Sequence, residues 1–131
     1  MISMTIEGVD QVRARFRNFI KYSQSESSAI THQHAAILLE MVKRNASGRP
    51  GPNVITGVYR DSIAIIKTST YESTVGTSAP QAMRLEYGFS GTDGAGRVYD
   101  QPAFPHFTPA KDMIAPQFKQ AMQQAVRSWW R

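Results

Sequence analysis

The feature that most constrains the fold of this chain is a change in the spacing of its apolar residues. Near both ends, apolar side chains recur every three or four residues, which predicts amphipathic helices. In the middle, residues 62–67 and 71–75 are rich in β-branched side chains around a short polar break, which predicts a β-hairpin. Residues 47–53 combine two prolines with two glycines, so we expect a loop there.

Two amphipathic helices are predicted before that loop. The first covers about residues 10–22, with Asp10 as its N-cap, and its apolar stripe consists of Val12, Phe16, Phe19 and Ile20. A polar break at residues 23–25 separates it from a second helix over about residues 25–46. The apolar stripe of the second helix consists of Ile30, Ile37, Leu38, Met41 and Val42.

A third long helix is predicted at the end of the chain. Thr108 is its expected N-cap, and Pro109 occupies the first helical position, where a missing N–H does no harm. Pro116 inside the pattern predicts a kink or a later start. The stripe that we expect to be buried consists of Ile114, Phe118, Met122, Ala125 and Trp129.

Shorter elements complete the predicted fold. We expect a strand over residues 4–7, one or two helical turns over 80–87, a flexible glycine-rich loop over about 88–104, and an edge strand at 98–99. The order of elements predicts a single α+β domain over residues 1–131. In it, a small antiparallel sheet, made of the hairpin with the N-terminal and edge strands, packs against two N-terminal helices and a C-terminal helix.

Composition limits the classes of function that the chain can have. Cysteine is absent, which excludes disulfides and thiolate metal sites. We expect no membrane span, because no apolar run is long enough, and no secretory signal, because residues 1–5 lack a basic segment followed by an apolar one. The net charge of +5 comes from the terminal segments, since residues 1–22 carry four basic and two acidic side chains and residues 111–131 carry four and one. This pattern favours solvated helix faces, with contact to DNA or to an acidic partner ring as the alternative.

The sequence predicts no catalytic, metal or cofactor site. His32 and His34 point about 200° apart on a helix, so they do not share a metal, and His34 is expected to be a hydrogen-bonded core histidine. No serine lies in a Gly-x-Ser-x-Gly turn, and residues 91–96 lack the Gly-Lys-Ser/Thr ending of a phosphate-binding loop. Three carboxylates lie close together in the sequence: Glu86, Asp93 and Asp100. Two of them flank a glycine-rich loop, which would not hold a pair of catalytic carboxylates at a fixed separation.

Three short motifs follow one another along the second half of the chain. They are TGVYRDSI at residues 56–63, VGTSAP at 75–80 continuing to LEYGF at 85–89, and PHFTPA at 105–110. Together they resemble the tail-completion proteins of long-tailed bacteriophages, which are small gene-product-ten-like proteins that join head to tail. The resemblance covers residues 56–110. The chain departs from it at Tyr59, where leucine is usual, and at His106, where phenylalanine commonly follows proline.

The resemblance implies structural roles for the motif residues, which are Thr56, Gly57, Arg60, Ser62, Gly76, Glu86, Gly88, Pro105, Phe107 and Pro109. We expect Gly57 to adopt a positive φ and Gly76 to end a strand where a Cβ would be crowded. Arg60 either clamps the start of the strand to the short helix by pairing with Glu86 or forms an ordinary surface pair. Phe107 is expected in the core.

Five further residues are candidates for an interface: Tyr87, Phe89, Arg97, Tyr99 and Trp130. Of the two aromatics beside Gly88, Tyr87 is the better candidate for the core and Phe89 for an interface, because Phe89 adjoins the predicted loop. Trp130 falls outside the stripe of the last helix, so we expect it to contact a neighbouring subunit.

The function implied is that of a virion structural protein at the head–tail junction, present in the host cytoplasm during assembly. The implied partners are copies of the chain in a ring, hexameric in the virion and monomeric when free, the head connector or stopper, and the tail terminator or tube. DNA in the channel would lie nearby, and neither a membrane nor a cofactor is involved. We expect residues 88–104 to become ordered on docking. The alternatives are a small basic nucleic-acid-binding protein, another minor capsid or tail subunit, and, least favoured, an enzyme.

Overall fold

The structure is a computed structural model that describes residues 2–5, 7–48, 51–52 and 57–130. Its elements, in chain order, are α1 (Val9–Asn45), α2 (Val58–Ser62), β1 (Ala64–Ser69), β2 (Glu72–Gly76), α3 (Ala82–Tyr87), β3 (Phe89–Thr92), β4 (Val98–Gln101) and α4 (Phe107–Trp129). Helices α1 and α4 run antiparallel along one another, since Trp129 contacts Phe19 and Phe118 contacts His34. The predicted α+β class is confirmed.

Helix α1 is a single helix of 37 residues, so the predicted break at residues 23–25 is wrong. The serines there turn their hydroxyls back onto the helix: Ser23 Oγ donates to the Ile20 carbonyl at 3.2 Å, and Ser25 Oγ to the Tyr22 carbonyl at 3.5 Å. Because these donors are satisfied within the helix, a polar run does not interrupt it. At 1.5 Å per residue the helix is about 55 Å long.

The first turns of α1 extend beyond the packed part of the molecule. Residues 9–18 are all exposed, and α4 ends where Trp129 meets Phe19. The predicted burial of Val12, Phe16 and Ile20 is therefore wrong, because helix α4 is too short to cover them.

The core lies at the opposite end of α1. It is built from Val42 and Ala46 at the end of α1, Ile63 after α2, and Ala110 in the first turns of α4. Leu38, Tyr59, Val75 and Phe107, among others, pack around these residues, which confirms the expected position of Phe107 at the core. Of the stripe predicted for α4, Ile114 and Trp129 are buried and the other three members are half-buried. The later start predicted from Pro116 is wrong, because the helix begins at Phe107 and continues through this proline.

The strands form two separate two-stranded antiparallel sheets rather than one. The predicted hairpin is present as β1–β2, paired from Ala64↔Gly76 to Ser69↔Glu72 with a register shift at Ile66. The predicted edge strand is part of β4, which pairs with β3. Met4, Thr5 and Glu7 are not in a strand, so that part of the N-terminal strand prediction is wrong, and Ile6 lies outside the described residues.

Helix α3 occupies six of the eight residues predicted as helical turns. The segment that follows, residues 88–104, was expected to be an open loop and contains the hairpin β3–β4 instead. This hairpin packs mainly on itself and contacts the helices and the other hairpin only sparsely. We call residues 89–101 the arm. Its mobility in solution stays a prediction.

Candidate functional site

The three motifs, which are far apart in sequence, meet in one buried polar cluster. Tyr59 comes from α2, Glu86 from α3, and His106 from the residue before α4. His106 is fully buried and Glu86 is 6% exposed. We call these three residues the polar junction. It lies against the core, because Tyr59 also packs on the core residues.

Glu86 caps helix α4 from outside that helix. Its Oε2 accepts the backbone N–H groups of His106 at 2.8 Å and Phe107 at 3.0 Å, and its Oε1 accepts the N–H of Thr108 at 2.7 Å. The first N–H groups of a helix have no partner within the helix, and the helix dipole favours a negative charge there. One side chain on α3 therefore satisfies the start of α4, and it fixes the two elements to each other.

His106 occupies the centre of the polar junction. Its Nδ1 lies 2.9 Å from the Phe104 carbonyl oxygen and 3.1 Å from Glu86 Oε2. Both are acceptors, so Nδ1 carries the proton and donates it. Nε2 then accepts from the Tyr59 hydroxyl at 2.6 Å. The backbone of His106 is also held, because Asn45 Nδ2 at the end of α1 donates to its carbonyl at 3.2 Å.

The environment of the polar junction shifts two pKa values in opposite directions. Burial raises the pKa of Glu86, but the hydrogen bonds from His106, Phe107 and Thr108 outweigh burial and hold that pKa below its usual value. Burial, followed by the nearby Glu86 charge, raises the pKa of Tyr59 to about 12. The carboxylate is therefore ionised and the phenol protonated at neutral pH, as their hydrogen bonds require.

A second chain of hydrogen bonds joins the first motif to the second. Ala79 N–H donates to Thr77 Oγ1 at 3.1 Å, Thr77 Oγ1 lies 2.7 Å from Ser62 Oγ, and Ser62 Oγ donates to the Tyr59 carbonyl. Because Ser62 uses its proton on that carbonyl, Thr77 donates to Ser62. This chain ties the end of β2 to α2.

Of the two alternatives for Arg60, the structure shows a surface pair and not a pairing with Glu86. The Glu86 carboxylate is occupied by the start of α4, and Arg60 Nε lies 3.5 Å from the carboxylate of its neighbour Asp61. The predicted N-cap, Thr108, is wrong. Helix α4 begins at Phe107, and its N-cap residue makes no side-chain capping bond. Pro109 is exposed and Pro105 half-buried, while Thr56 lies outside the described residues.

Two motif glycines have a left-handed backbone conformation, and a third lies close to a neighbouring side chain. Gly57 has φ 80°, as predicted, and Gly88 has φ 79°. A Cβ on Gly88 would lie 2.8 Å from the Gln101 carbonyl oxygen, so the backbone of the arm crosses directly over this residue. A Cβ on Gly76 would lie 2.9 Å from Ile66 Cδ1, which agrees with the expected crowding.

The base of the arm is fixed to α3. Leu85, next to Glu86, accepts the backbone N–H of Phe104 at 2.7 Å where the chain returns from the arm. The Arg84 guanidinium lies 4.1 Å from the centre of the Phe89 ring, so this candidate interface residue is half-covered by its own chain. Tyr87 is 67% exposed, which makes its expected burial wrong. The arm therefore leaves the body of the protein from a fixed position.

Asp93 organises the tip of the arm. Its Oδ1 accepts the N–H groups of Ala95 and Arg97 at 2.9 Å each, and its Oδ2 accepts from Arg97 Nε at 2.8 Å and from the Tyr99 hydroxyl at 3.1 Å. The hydrogen bond from the Arg97 N–H is the main cause that lowers the pKa of Asp93. Arg97 and Tyr99, both candidate interface residues, therefore have partners within the arm and remain exposed.

Trp130 is 42% exposed and meets the edge of the Phe16 ring at 4.9 Å. Its contact within the chain is thus with the exposed part of α1.

His34 Nδ1 donates to the Ile30 carbonyl at 2.8 Å and the ring packs on Phe118, as expected for a hydrogen-bonded histidine. His32 Nδ1 lies 3.0 Å from Ser73 Oγ on β2.

The polar junction holds structure together and gives no sign of chemistry. Its imidazole is enclosed, its carboxylate is saturated by backbone donors, and its phenol is directed at the imidazole. Among the described residues no group of His, Cys, Asp or Glu could hold a metal ion. No described helix is long and apolar enough to cross a membrane.

Sequence reasoning missed His106 as the centre of the site. The one signal was its position after proline within the third motif, where an apolar residue is usual. Asp93 was also missed as a structural residue, although an aspartate followed by Gly-Ala-Gly is a common turn pattern. The partners of Asp93 lie within six residues of it, whereas Tyr59 and Glu86, the partners of His106, are far from it in sequence.

The described chain thus consists of two long packed helices, two short helices and two small hairpins, with a closed polar junction between α2, α3 and the start of α4. The family described as "Bacteriophage HK97-gp10, putative tail-component" matches residues 10–88, more than half of the 131 residues. The chain belongs to this family of bacteriophage tail components. The match runs from α1 through α3, and the third motif lies beyond it. Comparisons with curated proteins and with solved structures gave no match.

Proposed function

We propose that this protein joins head to tail in a tailed bacteriophage, by assembling into a ring at the junction and docking there without catalysis. The observation that carries this proposal is the amount of surface that one copy leaves open. The surrounding partners are further copies of the chain, the head connector or stopper on one side, and the tail terminator or tube on the other. The ring is hexameric in the virion, and the free chain is a monomer.

The exposed area supports assembly. One copy exposes 9554 Å², whereas a compact monomer of this mass exposes about 6,900 Å². The excess of roughly 2,600 Å² exceeds the area of about 800 Å² that one partner contributes to an ordinary interface. A ring subunit has two neighbours, and docking to head or tail adds a third contact. Large exposed apolar surfaces mark sites of association in proteins of this size.

The arm supplies the most suitable contact between copies. It packs mainly on itself, and β4 is exposed along Val98, Tyr99 and Asp100. Val98 is 79% exposed and Tyr99 is 43% exposed, which leaves an apolar side chain and an aromatic one for a neighbour. A two-stranded hairpin is marginally stable alone, so burial against a second copy would stabilise it.

The polar junction serves this mechanism by fixing the direction of the arm. Glu86 holds the end of α3 to the start of α4, and Gly88 passes directly from α3 into β3. The tip is already shaped by Asp93. Docking thus orders fewer backbone torsions than an open loop would require, which lowers the entropic cost of ring closure.

Electron microscopy of particles made without this protein tests the proposal. We expect DNA-filled heads and complete tails that remain separate, and restoration of joined particles when the wild-type chain is supplied. Normal joined particles would contradict the proposed function. Absence of tails would contradict it in favour of a tail-tube subunit.

A further inference from the structure

The exposed first half of α1 carries an apolar stripe that the described chain leaves about half exposed. Its members are Val9, Val12, Phe16 and Ile20, which are 53%, 46%, 53% and 58% exposed. Their spacing of three, four and four residues places them on one face of the helix. The edge-on contact of Trp130 with Phe16 widens this surface. We call these four residues the α1 stripe.

The α1 stripe continues the surface along which α1 packs on α4. Phe19 contacts Trp129 at the end of α4, and Phe16 lies one turn earlier on the same side of α1. Beyond this point α4 has ended, so among the described residues only Trp130 packs on the apolar surface of the first turns of α1. An occupant that fits here presents an apolar groove to a helix.

Basic side chains border the α1 stripe on both sides. Arg13, Arg17 and Lys21 repeat every four residues along one side, and Arg15 lies on the other. Within the part of the chain that the structure describes, none of these four lies within 4 Å of a carboxylate. Asp10 is the one acidic residue in α1 before Glu26. The occupant must therefore offer negative charge around an apolar centre.

A second copy of this chain does not meet that requirement. Two α1 stripes placed face to face would bring the four basic residues of each copy together. Elsewhere on the described chain, several acidic side chains already have partners: Asp61, Glu72, Glu86, Asp93 and Asp112. Duplex DNA supplies negative charge, but phosphate contacts leave apolar side chains such as Phe16 in water.

We propose that the α1 stripe docks into an apolar groove, rimmed by Asp and Glu side chains, on a different protein of the same particle. This inference rests on the proposed function as a virion component. It assigns the arm to contacts between copies and the projecting end of α1 to the attachment of those copies to a second protein.

Photo-crosslinking in assembled particles tests the inference. Benzoylphenylalanine replaces Val12 in the full chain, and in a matched control it replaces Asn18, which lies on roughly the opposite side of the helix. After illumination of purified particles, mass spectrometry identifies the joined peptides. We expect position 12 to join a different particle protein within a segment in which acidic residues outnumber basic ones, and position 18 not to do so. Products that join position 12 to this chain, to DNA or to no protein would overturn the inference.

Charge reversal gives an independent readout. We expect R13E/R17E to lower the number of joined particles by about tenfold or more, because it makes the border of the α1 stripe repel an acidic rim. Its melting temperature and ring formation should match the wild type, and R13K/R17K should assemble normally. Normal joining by R13E/R17E would overturn the inference.

The failure of this inference is distinguishable from the failure of the proposed function. If particles that lack the protein join normally, the proposed function is wrong. If they do not join, and the residue at position 12 crosslinks only to this chain, the inference alone is wrong.

Discussion

The stability of the fold depends on the protonation state of Glu86. Its pKa in the folded protein is lowered because three backbone N–H groups bind the ionised form. In the unfolded chain a glutamate has a pKa of about 4.3. The stabilisation is therefore fully present above that value, and it is lost as the pH falls through the lower folded pKa.

Replacing Glu86 with glutamine should lower the free energy of unfolding by about 2–3 kcal/mol at pH 7, because the amide group turns a donor toward buried donors. Denaturant unfolding at pH 7 and pH 3 measures this effect, and we expect the variant to lose less stability on acidification than the wild type. The control is E72Q, since Glu72 is an exposed partner of Lys67 and should contribute under about 1 kcal/mol. Equal effects of the two substitutions would contradict the role of Glu86.

Tyr59 should produce the complementary effect at high pH. Its folded pKa of about 12 exceeds the value near 10 of an unfolded tyrosine, so its contribution is complete below pH 10 and is lost as the pH rises toward 12. Y59F leaves Nε2 of His106 without its donor, which should cost about 1–3 kcal/mol at pH 8. It should also remove this loss of stability between pH 10 and 12. The exposed Tyr71 provides the control variant Y71F, and an alkaline profile of Y59F identical to the wild type would refute the assignment.

A side chain at position 88 would be unfavourable for two reasons. Gly88 has a positive φ, and the Gln101 carbonyl oxygen occupies the space that a Cβ would need. We expect G88A to lower the melting temperature, with a loss of about 2 kcal/mol or more from the left-handed conformation and the overlap. Gly94 at the tip of the arm has open space around it and no positive φ, so G94A should be near neutral. Thermal unfolding of the pair measures the difference, and a G88A protein as stable as G94A would be inconsistent with this geometry.

At the scale of residues, the sequence identified many members of the site and misassigned their partners. Gly57, Gly76 and Phe107 behave as predicted, because their roles follow from local backbone or from an apolar side chain. One of the two alternatives for Arg60 paired it with Glu86, yet Glu86 binds uncharged N–H groups at the start of α4. That interaction depends on how α3 meets α4, which residue types alone do not reveal.

At the scale of elements, regular patterns were predicted reliably and their limits were not. The β1–β2 hairpin and the stripe of α4 follow directly from side-chain periodicity. The serines near residue 25 were interpreted as a break, but in α1 their hydroxyls bind carbonyls of the same helix. A local polar run therefore does not end a helix whose later turns are held by packing against α4.

The arm is the element whose behaviour should change most on assembly. Its contacts lie mainly within the hairpin, so its amide hydrogens should exchange faster in the free monomer than those of α1 and α4 where these helices pack together. In joined particles we expect the same amides to become protected because a neighbouring copy covers them. Hydrogen exchange with mass spectrometry makes the comparison. Strong protection of residues 89–101 in the free monomer would contradict this mechanism.

At the scale of the molecule, one copy of the chain has a small core and a large exposed surface. The main buried cluster consists of Val42, Ala46, Ile63 and Ala110 at one end, while α1 extends far beyond it. Apolar spacing in the sequence suggested that the start of α1 would be buried. Spacing shows that a face is apolar, but it does not show whether the same chain or a partner covers it. The structure therefore leaves exposed an apolar face that the sequence pattern was expected to bury.

We propose above that copies of this chain assemble into a ring between head and tail. A cryo-electron microscopy reconstruction of the neck of intact particles tests this directly. We expect a closed ring of this fold at the junction, with the arm of each copy packed against its neighbour. A neck that lacks this fold, or copies located elsewhere in the particle with the arm free in solvent, would contradict it.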